Sequence, residues 1–459
     1  MSKANVRKNK NKKKICIWSD SVVSPSGYGK IAKTLLKMLN KLGYECHNMA
    51  TNHYGIEYVD EDGTHILPIR WERGGPNPDD KTAMHMVVDY FIREDFDYFI
   101  TMGDPHFLVN QGLHKIVNNS NKMKFICYMF LDSIGVSSTG TKYIVMTDKI
   151  LVPSKFASEQ LSEAGFSDDG IISCPIDTDL YKPADKSKKT ATRKLLGFAG
   201  DDGDLTDNRR LYFYYGRNTP RKRPEYMLEG FTKYMKLCEI KDLIASSEEI
   251  LTSTIEEWEK MFEMSWEDIQ KMTNRPLNKD SQLFLHIPQF NTQPLMLQEF
   301  VEKLGVKYGI DILGSKKIIF NEKLRNVHIG EVTNTTGTDE QFVEYIQMAD
   351  VMISSTAAEG FGYLTVEGLA CEIPVIIPDN STAREVGGDF VTYAKCPNEV
   401  IVGSCVKQQH TSADEMLKAI IDVEINYDEK KKMAVEGREF VEENFRRGKF
   451  ITKWLEHLK

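Results

Sequence analysis

The sequence predicts two doubly wound α/β domains in tandem. Three observations carry this expectation. Short apolar runs that read as buried parallel strands alternate with segments of helical periodicity. A polar, turn-rich stretch interrupts the series once, after which it begins again. A chain of 459 residues also exceeds what one core organises, about 250 to 300 residues.

The first series opens on KKICIWSD (13–20), an apolar run leading into the glycine loop SVVSPSGYGK and then IAKTLLKMLNKLGYE, whose apolar residues keep helical spacing up to Gly43. Strands are expected at DYFITMG (97–103), KFICYMFLD (124–132) and KILVPS (149–154), and a helix in SKFASEQLSEAGF closed by Gly165. Residues 183–209 are polar and turn-rich apart from one short helical patch, so they read as a linker. The second series contains the strand-like runs RLYFYYGR, SQLFLHIP, NVHIGEV, ADVMISS and IPVIIPD. Residues of about 241–279 form a charged, helix-rich interruption, read as an insertion that makes a peripheral cap or partner-binding face.

Composition limits the function. With 41% hydrophobic and 27% charged residues, and no apolar run approaching the roughly 18 residues of a membrane helix, the chain reads as cytoplasmic. Its net charge of -8 speaks against nucleic acid, which normally meets a basic face. The basic start, residues 1–14, lacks the apolar core of a secretory signal. It reads as a disordered tail, or as a peripheral contact with an anionic membrane surface. Eight cysteines without a C-x-x-C pair argue for a reducing compartment and against a zinc or disulfide framework.

Open parallel sheets bind ligands beyond the carboxyl ends of their strands. After RLYFYYG comes R217-N-T-P-R-K222-R-P-E, two cations in a loop leading to a helix that starts near Pro224, which suits a diphosphate. After ADVMISSTAA comes E359-G-F-G-Y-L-T-V-E367. The glycines let backbone pass close to a ligand, and a helix begins near Thr365. Glu359 in the loop and Glu367 in the helix's opening part bracket one ligand, each accepting hydrogen bonds from hydroxyl groups.

These pieces resemble the retaining glycosyltransferases of GT-B fold, family 4. The resemblance runs from Lys14 onward except over the insertion. It rests on SGYGKIAKTLLKMLNKLGYE, on VPSKFASEQLSEAG with PIDTDLYKP, on GRNTPRK, and on the long YIQMADVMISSTAAEGFGYLTVEGLACEIPVIIPDNSTAREV. It implies two Rossmann-like domains facing a cleft, an acceptor domain over 15–182 and a donor-nucleotide domain over 210–445, with the closing helix at 446–459 crossing back to the first. It implies transfer of a sugar from a nucleotide-sugar donor to an acceptor hydroxyl on a glycan, lipid or protein, with retention and without metal or other cofactor. Arg217 and Lys222 would then hold the diphosphate, Glu359 would lie against the transferred sugar and Glu367 against the ribose. Amides around Gly360, Phe361, Gly362, Tyr363 and Leu364 would contact sugar and phosphate, and Gly27 and Gly29 would approach phosphates or acceptor from the first domain.

The sequence departs from the family in two places. A histidine expected after a central strand of the first domain is replaced by Asp132, leaving Asp132 and His106, in GDPHFL beside Asp104, as acceptor-side candidates. A turn that commonly holds glycine has Glu372. Two other readings carry less. A dinucleotide-binding protein would need an acidic residue that ECHNMATNHYG lacks. Asp177-Thr178-Asp179 looks like a metal-binding D-x-D but lies in the loop PIDTDLYKP that leaves the first domain, and the DDGD at 201–204 lacks the spacing and terminal Glu of a calcium loop and reads as linker. The alternative of a different class is an inactive sugar-nucleotide-binding or scaffold protein on the same fold.

Overall fold

The computed structural model describes residues 12–24, 26–51, 53, 56–68, 90–103, 122–198, 209–246, 250–287, 296–321, 339–403 and 405–459. Unit 1 comprises residues 1–131, 135–175 and 447–459, and unit 2 comprises 132–134 and 176–446. In chain order the described elements begin with β1 (Lys14–Asp20), α1 (Gly27–Lys41), β2 (Glu45–Thr51), β3 (Tyr58–Val59), β4 (His65–Pro68), β5 (Tyr98–Gly103) and β6 (Lys124–Met129). There follow α2 (Ser138–Ile144), β7 (Lys149–Val152), α3 (Lys155–Glu163), β8 (Gly170–Ile171) and α4 (Lys186–Leu195). Next come β9 (Leu211–Tyr215), α5 (Pro224–Ser246), α6 (Thr252–Phe262), α7 (Trp266–Thr273), β10 (Gln282–His286), α8 (Leu297–Tyr308), β11 (Ile318–Phe320) and α9 (Asp339–Gln347). The chain closes with β12 (Val351–Ile353), α10 (Tyr363–Ala370), β13 (Val375–Pro378), α11 (Ala383–Gly387), β14 (Thr392–Ala394), the hairpin β15 (Asn398–Val402) and β16 (Val406–His410), α12 (Ala413–Ile425), α13 (Tyr427–Phe445) and α14 (Arg447–His457).

Both sheets are wound about a central first strand. Unit 1 has the order β3-β4-β2-β1-β5-β6-β7-β8, parallel except where β3 turns back on β4. In unit 2 the order is β11-β10-β9-β12-β13-β14, all parallel. The winding therefore reverses beside β1 and beside β9, and such a reversal opens a crevice at the strands' carboxyl ends. The apolar runs explain why these strands form: each is buried on both faces, as parallel strands covered by helices must be. The predicted strand NVHIGEV lies outside the described residues. Among the described residues β11, which the sequence reading passed over, is the edge strand of this sheet.

The segment read as a peripheral insertion and the one read as a linker are more deeply involved than their polarity implies. In the insertion, Trp258, Phe262 and Ile269 are buried in the core cluster of unit 2, with Trp266 beside Trp258 at 5.6 Å between ring centroids. In the stretch read as a linker, α4 places Lys189 and Arg193 one turn apart, both on Asp350 at 2.6 Å, while Asp350 also accepts from the Leu211 amide at 2.8 Å. Half of that helix is cationic, so its attachment to unit 2 is electrostatic and escapes a search for apolar periodicity. The closing helix α14 packs within unit 1, where Trp454 meets Tyr128 edge-on at 5.4 Å.

The anomalous Glu372 sits in the left-handed region at φ 57°, in the turn between α10 and β13. A side chain there costs roughly 1 kcal/mol, part of which glycine's larger unfolded-state entropy offsets. Glu372→Gly should therefore raise stability by about 0.5 kcal/mol, measured as a higher denaturant midpoint. An unchanged or lower midpoint would mean that other contacts of Glu372 outweigh the strain.

Candidate active site

The crevice of unit 2 lies where the loops after β9 and β12 leave the sheet. After β9, a single 3-10 turn over Pro220–Lys222 ends at Arg223, whose φ of 46° reverses the chain into α5. After β12, residues 354–362 run to α10. The two loops are stitched together by the Ala357 amide donating to the Arg221 carbonyl at 2.8 Å and by Ser355 Oγ donating to the Arg223 carbonyl at 2.6 Å. A third loop, after β13, holds the second from its other side. Thr382 Oγ1 donates to the carbonyls of Glu359 and Phe361 at 3.1 and 2.8 Å, and the Glu359 amide donates to Ser381 Oγ at 3.0 Å.

Within this frame Lys222 Nζ donates to Glu359 Oε1, and Arg221 Nη1 lies 3.2 Å from Glu359 Oε2. Burial alone would raise the Glu359 carboxyl, but the charges of Lys222 and Arg221 outweigh it and bring the group down to about 2. Lys222 is shifted downward, first by burial and then by the neighbouring Arg221, against the pull of Glu359. Arg221 also reaches Asp132, Nε to Oδ2 at 3.3 Å. Asp132 and its neighbours through Ile134 are counted in unit 2, where Ile134 bridges to Lys407.

Helix α10 begins at Gly362, which has φ 103° and offers no side-chain cap, so the helix's positive end is available to an anion. Gly360 is partly exposed and Phe361 is buried. Tyr363 and Leu364 form the first turn, two residues earlier than the sequence reading placed it. Glu359, Phe361, Gly362, Leu364, Thr365 and Ser381 line one hollow together with the start of α11.

Glu367 behaves differently from the expectation that both carboxylates face one ligand. A Cβ on Gly368 would lie 2.8 Å from Val375 Cγ2 and 3.1 Å from Met352 Cγ, so this glycine lets α10 settle directly onto β12 and β13. Glu367 is consequently 0% exposed and accepts from the Tyr215 hydroxyl at the end of β9. Burial, then the charge of Glu367, raises the hydroxyls of both Tyr215 and Tyr181 well above their ordinary values.

The structure thus brings Lys222, Glu359 and Asp132 around Arg221, a residue the sequence reading did not single out although it stands beside Lys222. Arg217, the predicted partner of Lys222, is exposed in the same loop. Gly27 and Gly29 belong to unit 1, in the first turn of α1. There Ser26 Oγ accepts from the Gly29 amide at 3.1 Å, and a Cβ on Gly29 would fall 2.5 Å from the Ser24 carbonyl, so this glycine is required by close packing. His106 and Asp104 lie outside the described residues, as does the DDGD cluster.

Two doubly wound sheets, the second carrying a cation-carboxylate cluster and a helix start without a side-chain cap at its switch point, define an α/β protein of two Rossmann-like units. Residues 275–440 match the family described as Glycosyl transferases group 1, and the fold is GT-B. Among solved structures the chain is similar to a glycosyltransferase from Rickettsia africae, with TM-score 0.61, 15% identity and 97% of each chain covered. It is also similar to Anabaena HepE in complex with UDP-glucose, at TM-score 0.63 and 12% identity over 97% of this chain and 99% of that one. Sucrose-phosphate synthase from Thermosynechococcus elongatus gives TM-score 0.64 and 13% identity over 97% and 98%. At these identities the likeness is one of fold. A search of curated proteins returned no match. Among the described residues, no helix is long and apolar enough to cross a membrane.

The Glu359 cluster makes a pH prediction. A carboxyl held below its unfolded value contributes stability that is present above the unfolded value and lost as pH falls through the folded one. For Glu359 the window runs from 4.5 down to about 2. Denaturant midpoints measured across that range should fall more steeply in the wild type than in Glu359→Gln, and parallel curves would contradict the assignment.

Proposed function

We propose that the protein transfers a sugar from a nucleotide-sugar donor to an acceptor hydroxyl with retention of anomeric configuration. One observation carries this reading: the ion-paired Glu359, Lys222 and Arg221 lie beside the start of α10 at the switch point of the second sheet. A donor diphosphate brings charge that competes with Glu359 for the two cations. Once they turn to the phosphates, Glu359 is free to accept hydrogen bonds from the sugar.

Glycosyl transfer passes through an oxocarbenium-like state while negative charge grows on the departing nucleoside diphosphate. Lys222 and Arg221, once turned to the phosphates, and the amides opening α10 stabilise that leaving charge, and a carboxylate suits the positive sugar. Arg217, exposed in the same loop, is a further ligand for the diphosphate. Asp132, held by Arg221, is the acceptor-side candidate within the described residues, and Glu367 takes the ribose by displacing the Tyr215 hydroxyl. The acceptor is a glycan, lipid or protein hydroxyl.

Thermal-shift measurements against UDP-, GDP- and ADP-sugars, followed by assay of nucleoside diphosphate release, test the proposal. One donor should raise the melting temperature, and Lys222→Ala should lower turnover with it by about 10² to 10³. A shift without turnover would support the inactive, sugar-nucleotide-binding alternative. No shift with any donor would defeat both.

A further inference from the structure

The second cluster of chemically active side chains lies in unit 1. Strands β2 and β4 are parallel neighbours, and their register sets His47 directly opposite His65. Glu45 lies two residues before His47, hence on the same face of β2. As a result one carboxylate and two imidazoles present ligand atoms that all lie within 4.8 Å of one another. The imidazole rings stack, with centroids 4.4 Å apart and planes 14° from parallel.

The surroundings of His47 are those of an oriented ligand. It is 1% exposed, and both ring nitrogens are engaged: Nδ1 is 2.6 Å from Tyr90 Oη and Nε2 is 3.2 Å from Glu45 Oε1. A carboxylate only accepts, so Nε2 donates to Glu45 while Nδ1 accepts from the Tyr90 hydroxyl; metal binding at Nε2 releases that proton, after which Nδ1 donates to Tyr90. A metal-bound histidine commonly has its other nitrogen fixed by such an outer partner.

We propose that Glu45, His47 and His65 form a binding site for one divalent transition-metal ion of the zinc type, which ties β2 to β4 in unit 1. Two imidazoles and a carboxylate suit such an ion, with a fourth position left for water. A tetrahedral site with bonds near 2.0 Å has ligand atoms about 3.4 Å apart, so the group must contract, and His65 must rotate out of its stack on His47. Glu45 and His65 are partly exposed and have room to do so. The ion's competitor is Lys14, whose Nζ lies 3.1 Å from both Glu45 Oε1 and Glu94 Oε2. Metal binding leaves Lys14 with Glu94 alone.

The test uses the full-length, chelator-treated protein, titrated with Zn2+ in competition with a chromophoric chelator and with Co2+ by absorption. The expected result is one equivalent bound, with a tetrahedral nitrogen and oxygen Co2+ spectrum and no thiolate band. Losing an outer-shell partner costs about 10-fold to 100-fold in affinity. His65→Ala and Glu45→Gln should each therefore cost about 100-fold or more, while Lys14→Met should tighten binding. Cys405→Ser, which removes an exposed thiol, should bind as the wild type does. The proposal is overturned if the wild type binds no equivalent of Zn2+, if both ligand variants bind as well as wild type, or if Cys405→Ser abolishes binding. Far-UV circular dichroism separates loss of a ligand from loss of the fold, and Glu45→Gln stands in should His65→Ala fail to fold.

Discussion

The ion pair between Glu359 and its two cations is the constraint around which the second unit is arranged. A carboxylate that is only partly exposed needs charge compensation, and removing one partner from such a group is costly. Lys222 and Arg221 supply it from the loop after β9, while Glu359 comes from the loop after β12. These loops meet because β9 and β12 are adjacent strands, although 137 residues separate Lys222 from Glu359. The winding of the sheet is therefore a precondition of the site's electrostatics.

The supporting hydrogen bonds give the site its rigidity. Ser355, Thr356, Ser381 and Thr382 are small hydroxyl residues that donate to or accept from loop backbone around Glu359. In a buried loop every amide and carbonyl needs a partner, and short hydroxyl side chains provide one without filling the hollow. The same economy of space governs α10, where Gly368 brings the helix onto the sheet and thereby buries Glu367 against Tyr215. The closeness that fixes the helix also encloses its carboxylate.

Much of the fold was legible in the chain. β1, β5, β6, β7, β9, β10, β12 and β13 all fall within apolar runs, because a parallel strand buried on both faces must be apolar throughout. Gly43 and Gly165, at φ 92° and 84°, end their helices as the sequence implies. The polar segments were less readable. α4 is held by Lys189 and Arg193 on Asp350, and the insertion contributes Trp258 and Phe262 to the core from within a charged stretch. Neither contact leaves a periodic apolar pattern long enough to recognise.

By itself the sequence determined the repeated strand-loop-helix grammar, the glycines that open the loops and the acidic and basic residues set at strand ends, since local spacing and residue chemistry suffice for those. Only the tertiary structure decided the partners. It set Arg221 beside Lys222 on Glu359, turned Glu367 inward to Tyr215, and placed His47 opposite His65 across two strands. Such pairings depend on strand order and register, which arise from long-range packing and have no counterpart in the spacing of neighbouring residues.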